Sequence, residues 1–306
     1  MKRLFALCLL LSACTTVSPR NEFASQKSGP EVRDVPYQAR NMDASPRKRV
    51  LVLPFIDEGA SRSEKAAMYA RDALIRSMLK SDNFVILSNA DFPKDVSQFY
   101  KKGEYDLEAM AKLANSIGLS AIVEGKILEV KAKRIGDAVG IVREVRARLE
   151  ATVQLRVLAT KNTHMVLSEV KSATIEDSTM RIAERPGGDR YLEEDPVLLE
   201  AVVTKAFASL VPKIGKSVEK LQWEGRIAMV KGDRIFVNAG RLSGIQVGDI
   251  LKISEEGEDV YDPDSGALIG RVPGRLKGTV EVVSYFGKDG AIGVIHSGAG
   301  FRENDL

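Results

Sequence analysis

The chain has 306 residues, and its 45 Lys and Arg against 42 Asp and Glu leave a formal net charge of +3. Nucleic-acid-binding proteins normally concentrate a basic excess on one surface, so this balance argues against a nucleic-acid partner. The two cysteines are Cys8 and Cys14, so the rest of the chain can form no disulfide and no thiolate metal site. The length suffices for two domains, each with its own hydrophobic core.

The first fourteen residues have the order of a secretion signal. Lys2 and Arg3 precede an apolar run at residues 4–11, and the segment closes on a Leu-Ser-Ala-Cys sequence that ends at Cys14. The apolar run is much shorter than the roughly 20 residues that a membrane-spanning helix needs, so we interpret it as part of a signal peptide. No later apolar stretch approaches that length, so a membrane attachment would depend on lipid.

This segment resembles the signal of bacterial lipoproteins, in which the cysteine after the signal is acylated and becomes the mature N-terminus. The resemblance implies that residues 1–13 are a signal peptide and that Cys14 is the lipidation site. Thr15 follows the cysteine, and the lack of an Asp at that position implies the periplasmic face of the outer membrane. An ordinary cleaved signal with an incidental Cys14 is the alternative.

Residues 15–48 are rich in Ser, Pro, Asn, Gln and charged residues and show no periodic apolar face. We therefore predict a flexible tether over residues 14–48 that begins at the lipidated cysteine. A coil of this length has a root-mean-square span of roughly 30 Å. Such a tether would hold the folded part in the periplasm, away from the membrane surface.

The next region, residues 49–222, begins with alternating strand and helix signals. The apolar run at residues 50–56 is typical of a strand buried on both faces. Strand, helix, strand, helix and strand in succession predict an open α/β sheet. The later signals are a helix capped by Ser61 and Glu64, a strand at 84–87, a helix between Asp106 and Gly118, and a strand from Ala121 towards Lys133.

Within the same region, after the strand that begins at Ala121, the hydrophobic period changes from helical to alternating. Apolar residues alternate with polar ones, mostly charged, from Val145 to Val157, which predicts a half-buried antiparallel strand with a charged face. Residues 164–175 are predicted to return beside it. A single helix is predicted at residues 196–221, where the apolar residues follow a helical stripe.

From Gly225 onward, short apolar runs are separated by Gly and Asp turns. Regularly spaced short strands favour a small β-barrel, so we predict a second domain of that kind at residues 223–306. The predicted strands lie at residues 227–230, 235–237, 250–253, 279–283 and 291–295.

Two segments of the first region carry a resemblance to known proteins: residues 49–55, RVLVLPF, and residues 117–125, IGLSAIVEG. They resemble the periplasmic α/β domain shared by the curli secretion channel subunit CsgG, the TolB N-terminal domain, some penicillin-binding-protein activators and the middle domain of the flagellar protein FlgT. The second region resembles the C-terminal β-domain of FlgT. That second resemblance lies in residues 225–230, 237–240, 244–249, 262–270 and 278–280.

The FlgT resemblance implies structural or assembly work in a ring around the flagellar basal body, without catalysis. It also implies other envelope or basal-body proteins as partners, together with a homo-oligomeric ring. The best-known FlgT-type proteins carry an additional N-terminal domain and are not obviously lipid-anchored, whereas a tether occupies that end here.

Two other functions stay open. In the curli channel, a region equivalent to residues 142–176 is rebuilt into membrane-spanning hairpins, so an outer-membrane secretion pore subunit is one alternative. A helix-covered periplasmic sheet explains the same alternation equally well. A lipoprotein activator of a peptidoglycan synthase is the other alternative, and an enzyme stands well behind all of these.

The sequence offers little support for a catalytic, metal or cofactor site. His164 and His296 lack an HExxH or His-x-His arrangement, so we interpret them as ordinary strand histidines. No GxSxG elbow indicates a triad, and no glycine-rich phosphate loop follows the first strand. The segment from Asp262 to Gly266 has Pro273 where a calcium loop needs Glu, so we predict a turn between two barrel strands.

Overall fold

The computed structural model describes residues 46–59, 64–136, 145–177, 193 and 195–306. The α-helices in this part of the chain are α1 (Glu64–Lys80), α2 (Leu107–Ser116), α3 (Pro196–Ala208) and α4 (Val211–Glu219), and short 3-10 helices lie at Asn89–Asp91 and Val96–Phe99. The strands are β1 (Lys48–Val52), β2 (Ile56–Asp57), β3 (Phe84–Leu87), β4 (Tyr100–Lys101), β5 (Glu104–Tyr105), β6 (Ala121–Gly136), β7 (Val145–Ala159), β8 (Met165–Asp177), β9 (Ile227–Lys231), β10 (Arg234–Val237), β11 (Ile250–Ser254), β12 (Glu258–Tyr261), β13 (Leu268–Val272), β14 (Leu276–Phe286) and β15 (Gly290–Gly298).

The first sheet has the strand order β3-β1-β6-β7-β8, with β2 paired to β6. Strand β1 pairs in parallel with β3 and with β6, while β7 and β8 are antiparallel. The predicted alternation of strands and helices is therefore confirmed, and so is the mixed α/β fold. Val50, Leu51 and Val52 are fully buried because helices cover both faces of this sheet.

Helices α1 and α2 cover opposite faces of the first sheet. The predicted stripe on α1 is confirmed, since Ala70, Leu74 and Met78 pack against the alternate strand residues Val50 and Val52. Helix α2 packs on the other face, where Leu51 and Ile122 point. The Asp106 carboxylate accepts a hydrogen bond from the Ala109 backbone N–H, as predicted for an N-cap. Ser61 lies outside the described residues.

The apolar face of β7 lies under helix α3, so its alternation is that of a half-buried strand. Strand β8 returns beside it but begins at Met165, one residue after His164. The single helix predicted at residues 196–221 is wrong, because the structure has α3 and α4 with a break at Ser209 and Leu210. Pro212 explains the break, since proline lacks an N–H and its ring clashes with the carbonyl four residues earlier.

The C-terminal region, residues 225–306, contains a five-stranded antiparallel sheet in the order β11-β14-β15-β10-β9. The five predicted strands are confirmed, but the predicted closed barrel is not. Closure requires the first and last strands of the order to pair, but among the described strands β11 and β9 do not pair with each other. The C-terminal residues 304–306 instead form backbone hydrogen bonds with Ile227 of β9 and with Ser254 of β11. Strands β12 and β13 form a separate hairpin around the turn predicted at residues 262–266, although the prediction placed that turn between strands of the barrel.

Candidate functional site

The C-terminal region contacts the end of the first sheet at which its parallel strands begin. The Arg47 backbone N–H, one residue before β1, donates to the Ser243 carbonyl at 2.9 Å. The β7–β8 turn lies at the same end, where Lys161 forms an ion pair with Glu224. Backbone and side-chain contacts therefore join the two regions over a continuous junction.

The centre of the junction is the C-terminal end of helix α2. Its last carbonyls carry partial negative charge and need hydrogen-bond donors. Arg49 Nη1 donates to the Ile117 carbonyl at 3.1 Å, and Asn238 Nδ2 donates to the same oxygen at 3.2 Å. Burial lowers the pKa of Arg49, and the nearby Asp289 opposes that shift. A cation and an amide from two distant chain segments thus satisfy one helix end.

Arg226 holds the same helix end from the C-terminal region. It is 5% exposed, and its Nε donates to the Asn115 carbonyl at 2.9 Å. The two terminal nitrogens donate to the Asn304 carbonyl at 3.2 Å and to the Glu256 carboxylate at 3.1 Å. Sequence reasoning did not single out Arg226 as a contact residue, because one basic residue before an apolar run carries no signal of a distant helix end.

Gly118 allows the close approach of the two regions. Its φ of +74° lies in the left-handed region that terminates α2, as predicted from the sequence. A Cβ at this position would lie 3.0 Å from Asn238 Nδ2. Glycine therefore suits both the left-handed turn and the close approach of the Asn238 side chain.

Two adjoining cavities of about 240 and 600 Å³ form a groove along the junction. They share a wall that contains Asn115, Thr160, Lys161, Asn162 and Arg226. The groove separates α2 from the β12–β13 hairpin. Its amide, hydroxyl and ammonium groups suit hydrogen bonding to an extended polypeptide more than enclosure of a small ligand.

The sequence profile of the family described as "Curli production assembly/transport component CsgG" matches residues 55–248, more than half of the chain. The chain belongs to the CsgG family. No curated protein sequence matches it.

Solved structures resemble parts of this CsgG-family chain at low identity. The hypothetical protein CT253 from Chlamydia trachomatis is 14% identical, with a TM-score of 0.35, and the match covers 56% of this chain and 98% of that one. A putative lipoprotein from Caulobacter crescentus is 13% identical over 56% of this chain and 91% of its own, with a TM-score of 0.29. Lipoprotein GNA1162 from Neisseria meningitidis is 13% identical over 55% and 99%, also with a TM-score of 0.29. TM-scores of this size carry no conclusion about this chain.

The CsgG-family match begins at Phe55, just after β1, and ends at Gly248, just before β11. It includes Arg226 and Asn238, which hold α2, but not the β12–β13 hairpin across the groove. The junction is therefore partly inside the family match, and the hairpin lies wholly outside it.

A second polar cluster lies within the first sheet, on the face that α2 covers. Glu124 on β6 is 1% exposed, and its Oε2 accepts from Arg156 Nε on β7 at 2.5 Å. Lys126 Nζ donates to Glu104 at 2.7 Å. Burial, followed by the nearby Tyr100 and Glu124, raises the pKa of Tyr105 to about 12. These contacts join strand β6 to the segment that contains β4 and β5.

The residues considered from the sequence do not meet in one site. Cys14 lies outside the described residues. His164 donates its backbone N–H to Asn162 Oδ1, and His296 Nδ1 lies 3.0 Å from Thr279 Oγ1. The described part of the chain holds no group of three or more His, Cys, Asp or Glu that could bind a metal.

The segment from Asp262 to Gly266 is a turn, as predicted, but it joins β12 to β13 outside the five-stranded sheet. Asp262 Oδ1 accepts hydrogen bonds from the Asp264 and Ser265 backbone and from the Ser265 hydroxyl. Hydrogen bonds from Ser265 lower the pKa of Asp262. The carboxylate therefore stabilises its own turn.

No described helix has the length and apolar character that crossing a membrane would require.

Proposed function

We propose that this protein is a lipid-anchored, non-enzymatic component of a bacterial envelope assembly or transport machine. Its Cys14 would carry the lipid at the periplasmic face of the outer membrane. Residues 14–48 would form the tether, and two domains, residues 49–222 and 223–306, would make protein contacts. The most specific form of this proposal is a ring around the flagellar basal body.

The observation that carries the proposal is the CsgG-family match over residues 55–248. The description of that family names assembly and transport in curli production. The junction supports the same role, since the buried Arg226 and the half-buried Asn238 hold the C-terminal region against the α/β sheet. A scaffold needs such a fixed relation between its surfaces.

A secretion pore is the second candidate, because β6, β7 and β8 are long paired strands. The apolar face of β7 is occupied by helix α3. Membrane insertion would require that helix to leave, at the cost of exposing a core that includes Leu149, Val153 and Leu155. This packing favours a periplasmic scaffold over a pore.

The test of the anchor replaces Cys14 with Ser in the full chain. We expect the wild-type protein to incorporate labelled palmitate and to sediment with outer membranes, whereas Cys14→Ser loses the label and becomes soluble in the periplasm. Cys8→Ser is the matched control, because Cys8 lies within the predicted signal, and it should leave both properties unchanged. Membrane attachment and labelling of Cys14→Ser would contradict the proposed anchor.

Mass spectrometry tests whether the protein belongs to the flagellar basal body, by measuring its amount in basal bodies purified from the native host. The motility of a deletion strain is measured alongside. Stoichiometric presence and lost swimming would support the flagellar ring. Absence with normal swimming would contradict it. Conductance of the purified protein in lipid bilayers would support the pore, and binding to a peptidoglycan synthase would support an activator.

A further inference from the structure

The five-stranded sheet of the C-terminal region has an inward and an outward face. Ile235 and Val282 point inward, into the core of this region. Side chains alternate along each strand, so the register brings Met229, Phe236 and Ile292 together on the other side, which we call the outward face. These three side chains are exposed or half-buried. The outward face is therefore a surface of the molecule and not a part of its core.

The centre of the outward face is apolar. Met229 is 40% exposed. Phe286 on β14 is 39% exposed, and its ring centre lies 5.5 Å from that of Phe236 in an edge-to-face arrangement. Val294 continues the apolar surface beside Ile292 along β15. Contiguous apolar side chains on a surface mark a site of interaction with a membrane or with another protein.

Unpaired cations lie at the border of this apolar centre. Lys231 and Arg234 are directly opposite each other on β9 and β10, and both are exposed. Neither forms an ion pair with a described residue. Like charges directly opposite on neighbouring strands are destabilising, so an anion outside the chain would relieve this repulsion. Lys252 on β11 is a third exposed cation on the same face.

The basic character of the outward face contrasts with the charge of the whole C-terminal region. Residues 225–306 contain ten Lys and Arg and twelve Asp and Glu. Among the strand residues of the outward face, one acid, Glu281, accompanies the three cations, and Asp233 lies in the turn beside Arg234. Six of the acids lie instead at residues 255–264, in the β12–β13 hairpin and just before it. Charge is therefore segregated, and the outward face carries a local basic excess.

The predicted tether enters the fold next to the C-terminal region. The Arg47 backbone N–H donates to the Ser243 carbonyl at 2.9 Å. A compact unit of about 80 residues is roughly 30 Å across, so the outward face lies within the root-mean-square span of roughly 30 Å predicted for residues 14–48. The tether alone would hold the fold away from the membrane, but it is long enough for this face to reach the membrane surface.

We propose that the outward face docks on the anionic phospholipid surface of the membrane that holds the lipid anchor. A bilayer presents phosphate groups above an apolar layer, which matches cations at the border of an apolar centre. The apolar side chains contact the boundary between headgroups and acyl chains, and the three cations contact lipid phosphates. This inference deepens the proposed envelope role and rests on it for the identity of the membrane. Docking leaves the side of the molecule turned away from the membrane available to protein partners.

Vesicle co-sedimentation tests the contact without the lipid anchor. The protein used is the predicted mature chain, residues 14–306, with Cys14→Ser. We expect it to bind vesicles of phosphatidylethanolamine with phosphatidylglycerol. It should bind vesicles of phosphatidylethanolamine with phosphatidylcholine much less, because the cations require anionic lipid. Absence of binding to the anionic vesicles would overturn the docking and would favour a protein as the occupant of this face.

Charge reversal tests whether the outward face makes the contact. Lys231→Glu with Arg234→Glu should lower the partition coefficient on anionic vesicles on the order of tenfold or more. The matched control is Arg76→Glu with Lys80→Glu on helix α1, which makes the same charge change at exposed residues of the first region. It should stay within about twofold of the parent, because distant exposed charges are screened by salt. An equal loss in the two pairs, with both variants folded by circular dichroism, would overturn the docking.

An environment-sensitive dye tests which side of the molecule touches the lipid. Met229→Cys in the same mature chain gives a single thiol, since Cys8 and Cys14 are the other cysteines. Its dye should shift to shorter wavelength with anionic vesicles, whereas a dye at Ser265→Cys, in the exposed β12–β13 turn, should not. The opposite result would overturn the docking. Palmitate labelling of Cys14 in the full chain reads the anchor separately, so vesicle binding without labelling would contradict the anchor alone.

Discussion

Arg148 and Arg156 lie on the same face of β7, but they differ in their own exposure and in the exposure of the carboxylates that they contact. Arg156 Nε donates to Oε2 of the buried Glu124 carboxylate, and Oε1 of that carboxylate has no hydrogen-bond partner among the described residues. Arg148 faces Glu176 at 4.0 Å, and both side chains are about half exposed. The alternating pattern in the sequence treats the two arginines alike, because it contains no information about what covers each part of the strand.

Replacement of each arginine by alanine should separate these two environments. Arg156→Ala should lower the free energy of unfolding by about 3–5 kcal/mol, because it leaves a buried carboxylate uncompensated. Arg148→Ala should cost less than about 1 kcal/mol, as for exposed ion pairs. Urea unfolding of both variants measures the difference. Equal losses would show that Glu124 does not depend on Arg156.

At the scale of elements, the α2 helix was predictable at both ends. Asp106 at the start and Gly118 at the end are local signals, since each acts on backbone groups within a few residues. The break between α3 and α4 was missed, although Pro212 is a local signal as well. The apolar stripe continues through the break, so the periodicity outweighed the proline in the sequence interpretation.

Removal of the Asp106 cap should affect α2 by loss of one hydrogen bond. Asp106→Ala should lower the free energy of unfolding by about 1 kcal/mol, because the Ala109 N–H loses its acceptor. Asp106→Asn should retain most of that stability, since asparagine caps as well as aspartate. Thermal unfolding followed by circular dichroism compares them. If Asp106→Asn lost as much stability as Asp106→Ala, the charge of Asp106, and not its capping hydrogen bond, would be what stabilises α2.

At the scale of the whole molecule, Arg226 couples the C-terminal region to the first sheet. Its guanidinium contacts the end of α2, the chain near Asn304 and Glu256. These acceptors are separated by up to 189 positions in the chain, from Asn115 to Asn304. Together with Arg49 and Asn238, this side chain therefore couples the unfolding of the two regions.

Arg226→Ala should lower the free energy of unfolding by about 2–3 kcal/mol, because buried carbonyls lose a charged donor. It should also separate one calorimetric transition into two. Arg241→Ala is the control, since the Arg241 guanidinium carbon lies 4.7 Å from the centre of the Tyr285 ring, within the C-terminal region. This substitution should cost about 1 kcal/mol or less. A single transition in Arg226→Ala, with amide exchange in β9 and β10 unchanged, would contradict the coupling.

The sequence by itself determined the strand and helix order of the first sheet and the five strands of the second. Burial patterns and caps depend on residues close together in the chain, so they can be recognised in the sequence. Only the tertiary structure decided that the edge strands of the second sheet do not pair with each other, where the β12–β13 hairpin lies, and that Arg49, Arg226 and Asn238 meet at one end of α2. Those contacts join residues far apart in the chain, and a single sequence has no periodicity that reports which distant donor satisfies a given carbonyl.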